Sequence, residues 1–501
     1  MKVIQVDRAY KEDVMRVFNH LANLFFEDSK IKVNAVQADM FVRFTENDDG
    51  LHFATTAELL VEGNSYTSSY AKTYDTTVTL REQLIRRKRA LSHVFLDVLE
   101  QYTGITQAWG ILTGIRPTKL YHKMRKSGMS DEAIAIALRE DFRISDEKIT
   151  LMKTIVKRQL ATISDLDAIQ QEVSIYIGIP FCPTKCAYCT FPAYAIGHHR
   201  KKGHVMGFLD ALHYELEQVG NWLTAHNKKI TSVYWGGGTP TSIEADEMDA
   251  LYQTFNDYFP HLTTIREVTV EAGRPDTITP EKLAVLRKWD MDRISVNPQS
   301  YTNETLKAIG RHHSVEETIE KFWLAREEGM NNINMDLIIG LPNEGIEEFE
   351  HSLLESEKMQ PESLTVHTLS FKRASEMTQN KDKYRVADRA TVEEMMHMAE
   401  RWTKRNQYEP YYLYRQKNIL GNLENVGYSK LGEESIYNIV IMEEVQTIIG
   451  IGCGASSKLV DANGRITQFH NAKDPAAYAM TVKADTEKKL ALLTQLEEES
   501  V

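Results

Sequence analysis

Cysteine is scarce, with four in 501 residues. No disulfide framework can therefore hold the chain, and a reducing, cytoplasmic setting is expected. Long apolar runs are missing too. Nothing approaches the roughly 18 to 20 uninterrupted apolar residues of a membrane-spanning helix. The opening Met1-Lys-Val-Ile-Gln-Val-Asp-Arg8 puts charges where a secretion signal would put its apolar segment. Positive charge is in deficit, and a formal net charge of −12 speaks against binding nucleic acid over the whole surface. There are no low-complexity tracts. With 42% apolar and 26% charged residues, the proportions are those of an ordinary folded protein. At this length two or three domains are expected.

The few cysteines are not scattered. Three of the four fall within eight positions, as Cys182-x3-Cys186-x2-Cys189, directly after the apolar run Val173–Ile179 and Pro180. An iron–sulfur cluster suits so tight a loop, because each thiolate takes a different iron corner and a fourth iron stays open. Structural zinc wants a fourth ligand, which would be His198, His199 or distant Cys453. A disulfide with one thiol left over is the remaining reading. For Cys453, in the Gly-rich stretch Thr447–Ser457, a small buried thiol stands beside a thiol facing substrate.

Strand-like stretches at 2–6, 31–36, 40–44, 51–60 and 65–80, with a helix at 11–26, predict a small α+β domain over 1–80. Helical periodicity follows over 81–165, and Ser130-Asp-Glu and Ser145-Asp-Glu have the form of helix N-caps with acidic first turns. Two basic groups lie here: Arg81, Arg86, Arg87, Lys88 and Arg89, then Arg116, Lys119, Lys123, Arg125 and Lys126. They read as solvated helix faces or as a docking patch for an acidic partner or an anionic substrate. From 170 to Arg373 apolar runs alternate with amphipathic stretches, giving six βα units of about 33 residues each, the pattern of a parallel sheet. Six units fall short of a closed eight-stranded barrel, so the expected fold is α/β, an open partial (β/α)6 barrel. The rest, 374–501, is expected as a mixed extension covering the active site.

In such folds the site lies at the carboxyl ends of the strands. The cysteines follow the first strand and Gly236-Gly-Gly-Thr-Pro240 the second, Glu271 ends the third, and Asn297-Pro-Gln299 the fourth. Arg311 and Asp336 lie at or after later strand ends. The glycines permit close backbone approach and are expected to turn N–H groups toward a ligand. Carboxylates with an arginine can recognise an amino acid and a ribose.

Together these words carry a resemblance. Cys182-x3-Cys186-x2-Cys189 with Gly236-Gly-Gly-Thr-Pro is similar to radical SAM enzymes. The flanking Tyr176-Ile-Gly-Ile-Pro-Phe, Gln299-Ser, Gly310-Arg311-His-His and Met335-Asp336-Leu-Ile-Ile-Gly-Leu-Pro342 resemble the oxygen-independent coproporphyrinogen III oxidase family, in its long form with an extra N-terminal region. The motifs cover about 170–460, and Trp109-Gly-Ile-Leu-Thr-Gly-Ile-Arg-Pro-Thr-Lys119 extends the likeness upstream. The resemblance implies a [4Fe-4S] cluster on Cys182, Cys186 and Cys189 whose open iron binds S-adenosylmethionine. It implies a first SAM held by Tyr176, Gly237 and Glu271, and a second contacted by Tyr188, Gly238, Thr239, Gln299, Arg311 and Asp336. It further implies a 5′-deoxyadenosyl radical that takes hydrogen from a propionate of a porphyrinogen, carbon dioxide leaving and a vinyl group remaining. A haem-binding chaperone relative, or another radical SAM substrate, is the alternative the same motifs allow. Since only Cys453 lies outside the loop, the electron is expected from an external donor such as flavodoxin or ferredoxin. Two positions depart from the family pattern. Gly178 stands where His is usual, and Thr190-Phe-Pro follows Cys189 where a further cysteine often stands just past the loop.

Overall fold

The computed structural model describes residues 2–26, 29–49, 51–74, 79–114, 116–371, 375–380, 383–417 and 419–499; the boundary expected at Arg373 lies outside them. The chain divides into two compact units, Met1–Thr154 and Ile155–Val501.

In the first unit, β1 (Lys2–Val6), α1 (Glu12–Ala22), β2 (Ser29–Lys32), β3 (Met40–Asp48), β4 (His52–Val61) and β5 (Asn64–Thr73) build a sheet ordered β2-β1-β3-β4-β5. Strict alternation along β4 buries Phe53, Thr55, Ala57, Leu59 and Val61 on one side, the period-two signature of a sheet wet on its other face. The strand expected over 65–80 ends at Thr73, and α2 (Leu80–Thr103) begins where it was to finish. Helix α2 packs on that sheet. Phe95 meets Phe18 of α1 at 4.7 Å, and Phe18 stacks on Phe44 at 5.1 Å, so 81–103 shares one core with 1–80. The remaining helices are α3 (Pro117–Lys126), α4 (Asp131–Phe142) and α5 (Asp146–Thr162). Both serine caps form, with Ser130 Oγ accepting from Ala133 N–H and Ser145 Oγ from Lys148 N–H. The first basic group is largely engaged within the unit. Arg86 lies over the Tyr74 ring, Arg87 pairs with Glu46, Lys88 with Asp13 and Arg89 with Asp141.

The second unit runs β6 (Val173–Ile179), β7 (Phe181–Cys182), β8 (Tyr194–Ala195), α6 (Ile196–Lys201), α7 (His204–Ala225), β9 (Ile230–Gly237), α8 (Ala245–Tyr258), β10 (Glu267–Val270), α9 (Pro280–Lys288) and β11 (Arg293–Ser295). It continues with α10 (Asn303–Ala308), α11 (Val315–Glu327), β12 (Ile333–Ile339), α12 (Ile346–Met359), β13 (Ser363–Thr368), α13 (Glu376–Gln379), α14 (Arg389–Arg405) and β14 (Glu409–Tyr414). Last come β15 (Asn425–Ser429), α15 (Ile436–Glu443), β16 (Thr447–Gly452), β17 (Ser456–Val460), β18 (Ile466–His470) and α16 (Pro475–Glu498). Six strands, β6-β9-β10-β11-β12-β13, lie parallel in chain order, as a partial (β/α)6 barrel requires.

The C-terminal stretch does more than extend this barrel. β15 and β14 add to its β13 edge in antiparallel fashion, and β16 adds parallel to β6, followed by β17 and β18, making eleven strands. An open sheet leaves unpaired N–H and C=O groups at both edges, and these late strands satisfy them. A buried carboxylate anchors β16. Glu215 of α7 accepts from Gly452 N–H (2.7 Å), Asn471 Nδ2 (2.9 Å), Tyr478 Oη (2.5 Å) and the Lys489 ammonium, which also donates to Gly450 O. No helix among the described residues is long and apolar enough to cross a membrane.

Candidate functional site

The cysteine loop begins where Pro180 ends β6, and the short β7–β8 ladder brackets it. Its backbone is sewn to two other segments. Ala187 N–H donates to Ile309 O (2.9 Å), Thr184 Oγ1 to Gly310 O (3.0 Å) and Met377 N–H to Ala187 O (3.1 Å). Behind it Ala187, Leu306, Ile309, Ile338, Leu341, Leu369 and Met377 form an apolar cushion. All four cysteines are free thiols, which removes the disulfide reading. Burial pushes the Cys182 thiol up to about 12, and burial likewise raises Cys189. Buried in this way the thiols stay neutral, whereas a metal centre would reverse the shift by taking thiolates as ligands. Among the described residues the three thiols, with or without His198 or His199, do not gather within 4.8 Å of one another, a spread wider than one tetrahedral zinc allows.

The glycine triplet does not offer N–H groups to a ligand, contrary to the expectation above. Gly237 N–H bonds the Glu271 carboxylate, Gly238 N–H bonds Ile179 O (2.8 Å) and Thr239 N–H bonds Phe181 O (2.7 Å). Its glycines serve close packing. A Cβ on Gly238 would lie 2.4 Å from Phe181 O, and Gly237, at φ +112°, leaves 2.8 Å to Ile179 O. The Thr239 hydroxyl sits 3.6 Å from Cys182 Sγ. Thus Gly237, Gly238 and Thr239 fix the loop's entry from the adjacent strand.

Deeper in the barrel, Glu271 bonds Tyr234 as well as Gly237. Burial, reinforced by the Asp336 charge, still pushes its carboxyl up to about 8. Tyr176 and Tyr234 stack at 6.2 Å, and Tyr437 of α15 covers Tyr234 at 4.6 Å. On the far side of the mouth, Arg311 Nη2 donates to Tyr188 Oη (3.2 Å), which donates to Gln299 Oε1 (3.1 Å). Arg311 Nη1 is taken by the carbonyls of Gly273 and Asn297 (3.1 and 2.9 Å). Gln299 adopts φ +66°, a strained conformation for a side chain, because its N–H and C=O both bond β12, to Asp336 O and from Ile338 N–H. Asp336 accepts from Asn297 Nδ2 (2.9 Å) and Asn334 Nδ2 (2.8 Å) and lies 3.5 Å from His367, whose other nitrogen meets Tyr414 Oη at 3.2 Å. Burial opposes its charge, but His367 and these hydrogen bonds hold the carboxyl below its ordinary value. Two neighbouring carboxyls are therefore biased in opposite directions, one toward the proton and one against it.

Near these carboxyls three buried polar atoms have no partner among the described residues: Arg311 Nε, Asn297 Oδ1 and the Tyr437 hydroxyl. Orphans of this kind are costly unless a ligand satisfies them. The donor, two acceptors and two carboxyls fit an amino acid and a ribose. Tyr234, Tyr437, His367, Tyr414 and Asn334 escaped sequence reasoning. Tyr234 adjoins the glycine triplet and could have been found there, while Tyr437 and Tyr414 carry no local signal.

Gly178 has a packing cause. It pairs in register with Gly452 of β16, and a Cβ on it would stand 3.0 Å from Cys453 O and 3.3 Å from the Tyr176 ring. Cys453 itself is buried, and burial with the charges of Asp474 and Glu215 pushes its thiol up. Its burial beside Glu215 of α7 and Asp474 fits the reading of a small packed thiol.

The sequence profile of the radical SAM superfamily matches residues 176–355, and a solved coproporphyrinogen III oxidase, HemN from Escherichia coli, shares the fold. It superposes with a TM-score of 0.51 at 20% identity over 64% of this chain and 72% of that one. This is the partial barrel of a class built around a [4Fe-4S] cluster and SAM. The oxygen-independent coproporphyrinogen-III oxidase-like protein HemZ of Bacillus subtilis is 57% identical over 99% of both chains, and the chain belongs to that coproporphyrinogen oxidase-like family. The heme chaperone HemW of the same bacterium is 28% identical over 56% of this chain and 70% of its own length.

Proposed function

We propose that the chain is a SAM-dependent oxidoreductase of anaerobic porphyrin synthesis, acting in a reducing, cytoplasmic compartment. It decarboxylates two propionates of coproporphyrinogen III to vinyl groups, giving protoporphyrinogen IX. One observation carries the reading. Three free thiols, a carboxyl biased to its proton, a carboxylate and an arginine with an unused N–H meet at one end of the parallel strands, in a chain closely related to an oxidase-like protein.

Cys182, Cys186 and Cys189 would hold the cluster through its three protein-ligated corners. Cluster and SAM together supply one-electron cleavage of a carbon–sulfur bond and hence a radical able to abstract hydrogen. Tyr176, Gly237 and Glu271 would bind a first SAM, with Glu271 taking the ammonium or ribose hydroxyls. Because Glu271 titrates near 8, binding a cation there releases its proton. Tyr188, Thr239, Gln299, Arg311 and Asp336, with Gly238 shaping the wall, would bind a second SAM. The free Arg311 Nε–H donates to a carboxylate, and ionised Asp336 accepts from ammonium or hydroxyl donors. The stacked Tyr176, Tyr234 and Tyr437 keep water from the reacting region. The electron comes from an external flavodoxin- or ferredoxin-type donor.

A second reading is haem carriage without turnover, favoured by the likeness to heme chaperones and by glycine at 178. Anaerobic incubation of reconstituted protein with SAM, dithionite and coproporphyrinogen III separates the two. 5′-Deoxyadenosine together with protoporphyrinogen supports the first reading. Deoxyadenosine without porphyrin change refutes it, and stable haem binding without SAM cleavage favours the second.

A further inference from the structure

Beyond β10 the chain continues Glu271-Ala-Gly-Arg274-Pro-Asp276, and Arg274 is only 2% exposed. Its guanidinium faces two ways. Nη1 donates to Thr184 O (3.1 Å) and Thr184 Oγ1 (3.2 Å), inside the cysteine loop, and reaches Cys186 Sγ at 3.9 Å. Nε and Nη2 donate to the two oxygens of Asp276 at 3.0 and 2.8 Å. The positive end of this fork-to-fork pair thus touches a thiol sulfur while its negative end points away. Asp276 keeps 18% of its side chain exposed, and the buried His313 ring stands 3.9 Å behind it. None of the roles assigned above uses this pair. A structural salt bridge alone would not require the cation to be threaded under a cysteine.

We propose that the Arg274–Asp276 pair sets the reduction potential of the cluster held by Cys182, Cys186 and Cys189. The proposal rests on that ligand assignment. Three thiolates already make the cluster site anionic, and an electron accepted from an external one-electron donor adds one more negative charge, with no bond made or broken. A buried guanidinium at the sulfur stabilises the reduced form. A carboxylate on its far side partly offsets the guanidinium, and more weakly because it is more distant and wetter. Arg311 and Lys185, the other cations whose charge reaches these thiols, lack such a counter-ion at the same sulfur. Arg274 is therefore a tuning residue, touching a ligand and not the reacting atoms.

The test is a redox titration of the full-length, reconstituted protein without SAM, followed by the electron paramagnetic resonance of the reduced cluster. Arg274→Gln should shift the one-electron equilibrium at least tenfold toward the oxidised form, about 59 mV for one electron. Asp276→Asn should shift it in the opposite direction, and Arg274→Lys should retain most of the wild-type value. Potentials within a factor of two of wild type in both Arg274→Gln and Asp276→Asn overturn the proposal, as does a shift of the same sign in both. If Arg274→Gln takes up no cluster, the direction of the Asp276→Asn shift decides alone. If the wild-type protein takes up no cluster, the ligand assignment itself fails, an outcome distinct from a normal cluster of unaltered potential.

Discussion

Replacing Glu271 by Gln removes a charge from the barrel and keeps its shape. Burial is the main reason the Glu271 carboxyl titrates near 8 instead of 4.5, and Asp336 adds to it. A carboxyl that binds its proton more tightly when folded contributes stability that is complete below about pH 4.5 and is lost as pH rises through about 8. At about 1.4 kcal/mol per pH unit, the displacement amounts to roughly 5 kcal/mol, an upper figure because Glu271 keeps part of its surface exposed. At about 1–2 °C per kcal/mol for a unit of this size, Glu271→Gln should therefore gain roughly 5–10 °C in Tm over wild type between pH 5 and pH 8.5. The gain should level off above that. Differential scanning fluorimetry of cluster-free protein across this range provides the assay. The paired variant Asp336→Asn, which withdraws the reinforcing charge, should move the midpoint of the effect to lower pH. A wild-type-to-Gln difference that stays flat from pH 5 to 8.5 refutes the account of this carboxyl.

Three further outcomes follow from the same geometry. Gly238→Ala places a methyl 2.4 Å from a backbone carbonyl, so it should cost about 2–4 kcal/mol and lower both Tm and iron uptake, read by calorimetry and iron assay. Cys186→Ser should abolish the brown absorbance of the reconstituted cluster, and full iron occupancy in that variant would refute the ligand assignment. Glu215→Gln leaves the Lys489 ammonium buried without its counter-ion and should destabilise by about 3–5 kcal/mol. The double variant with Lys489→Met should recover part of this loss in chemical denaturation.

Much of the barrel was legible because its information is local. Each βα unit writes its own apolar run and amphipathic stretch, and six parallel strands follow as expected. The residues at strand ends were also legible, since topology sends those ends to one face. What escaped was set by partners far away in sequence. The glycine triplet looked like a cradle for a ligand, yet its N–H groups are spent on Ile179, Phe181 and Glu271, a pairing that depends on register between β6 and β9. The Gly-rich stretch at 447–452 was expected only as part of a mixed extension, yet it pairs with β6 across more than 270 residues.

By itself the sequence determined that three thiols lie within one loop, that six βα units follow it, and that polar residues stand at their ends, because spacing and periodicity are properties of neighbours along the chain. Only the tertiary structure decided how those residues are charged and used. Glu271 holds its proton because folding buries it and brings the Asp336 charge near it. A side chain at Gly178 would press on Cys453 O and the Tyr176 ring, and Arg274 matters because folding lays it under Cys186. Desolvation, close approach and charge proximity act through space, and a linear pattern does not encode them.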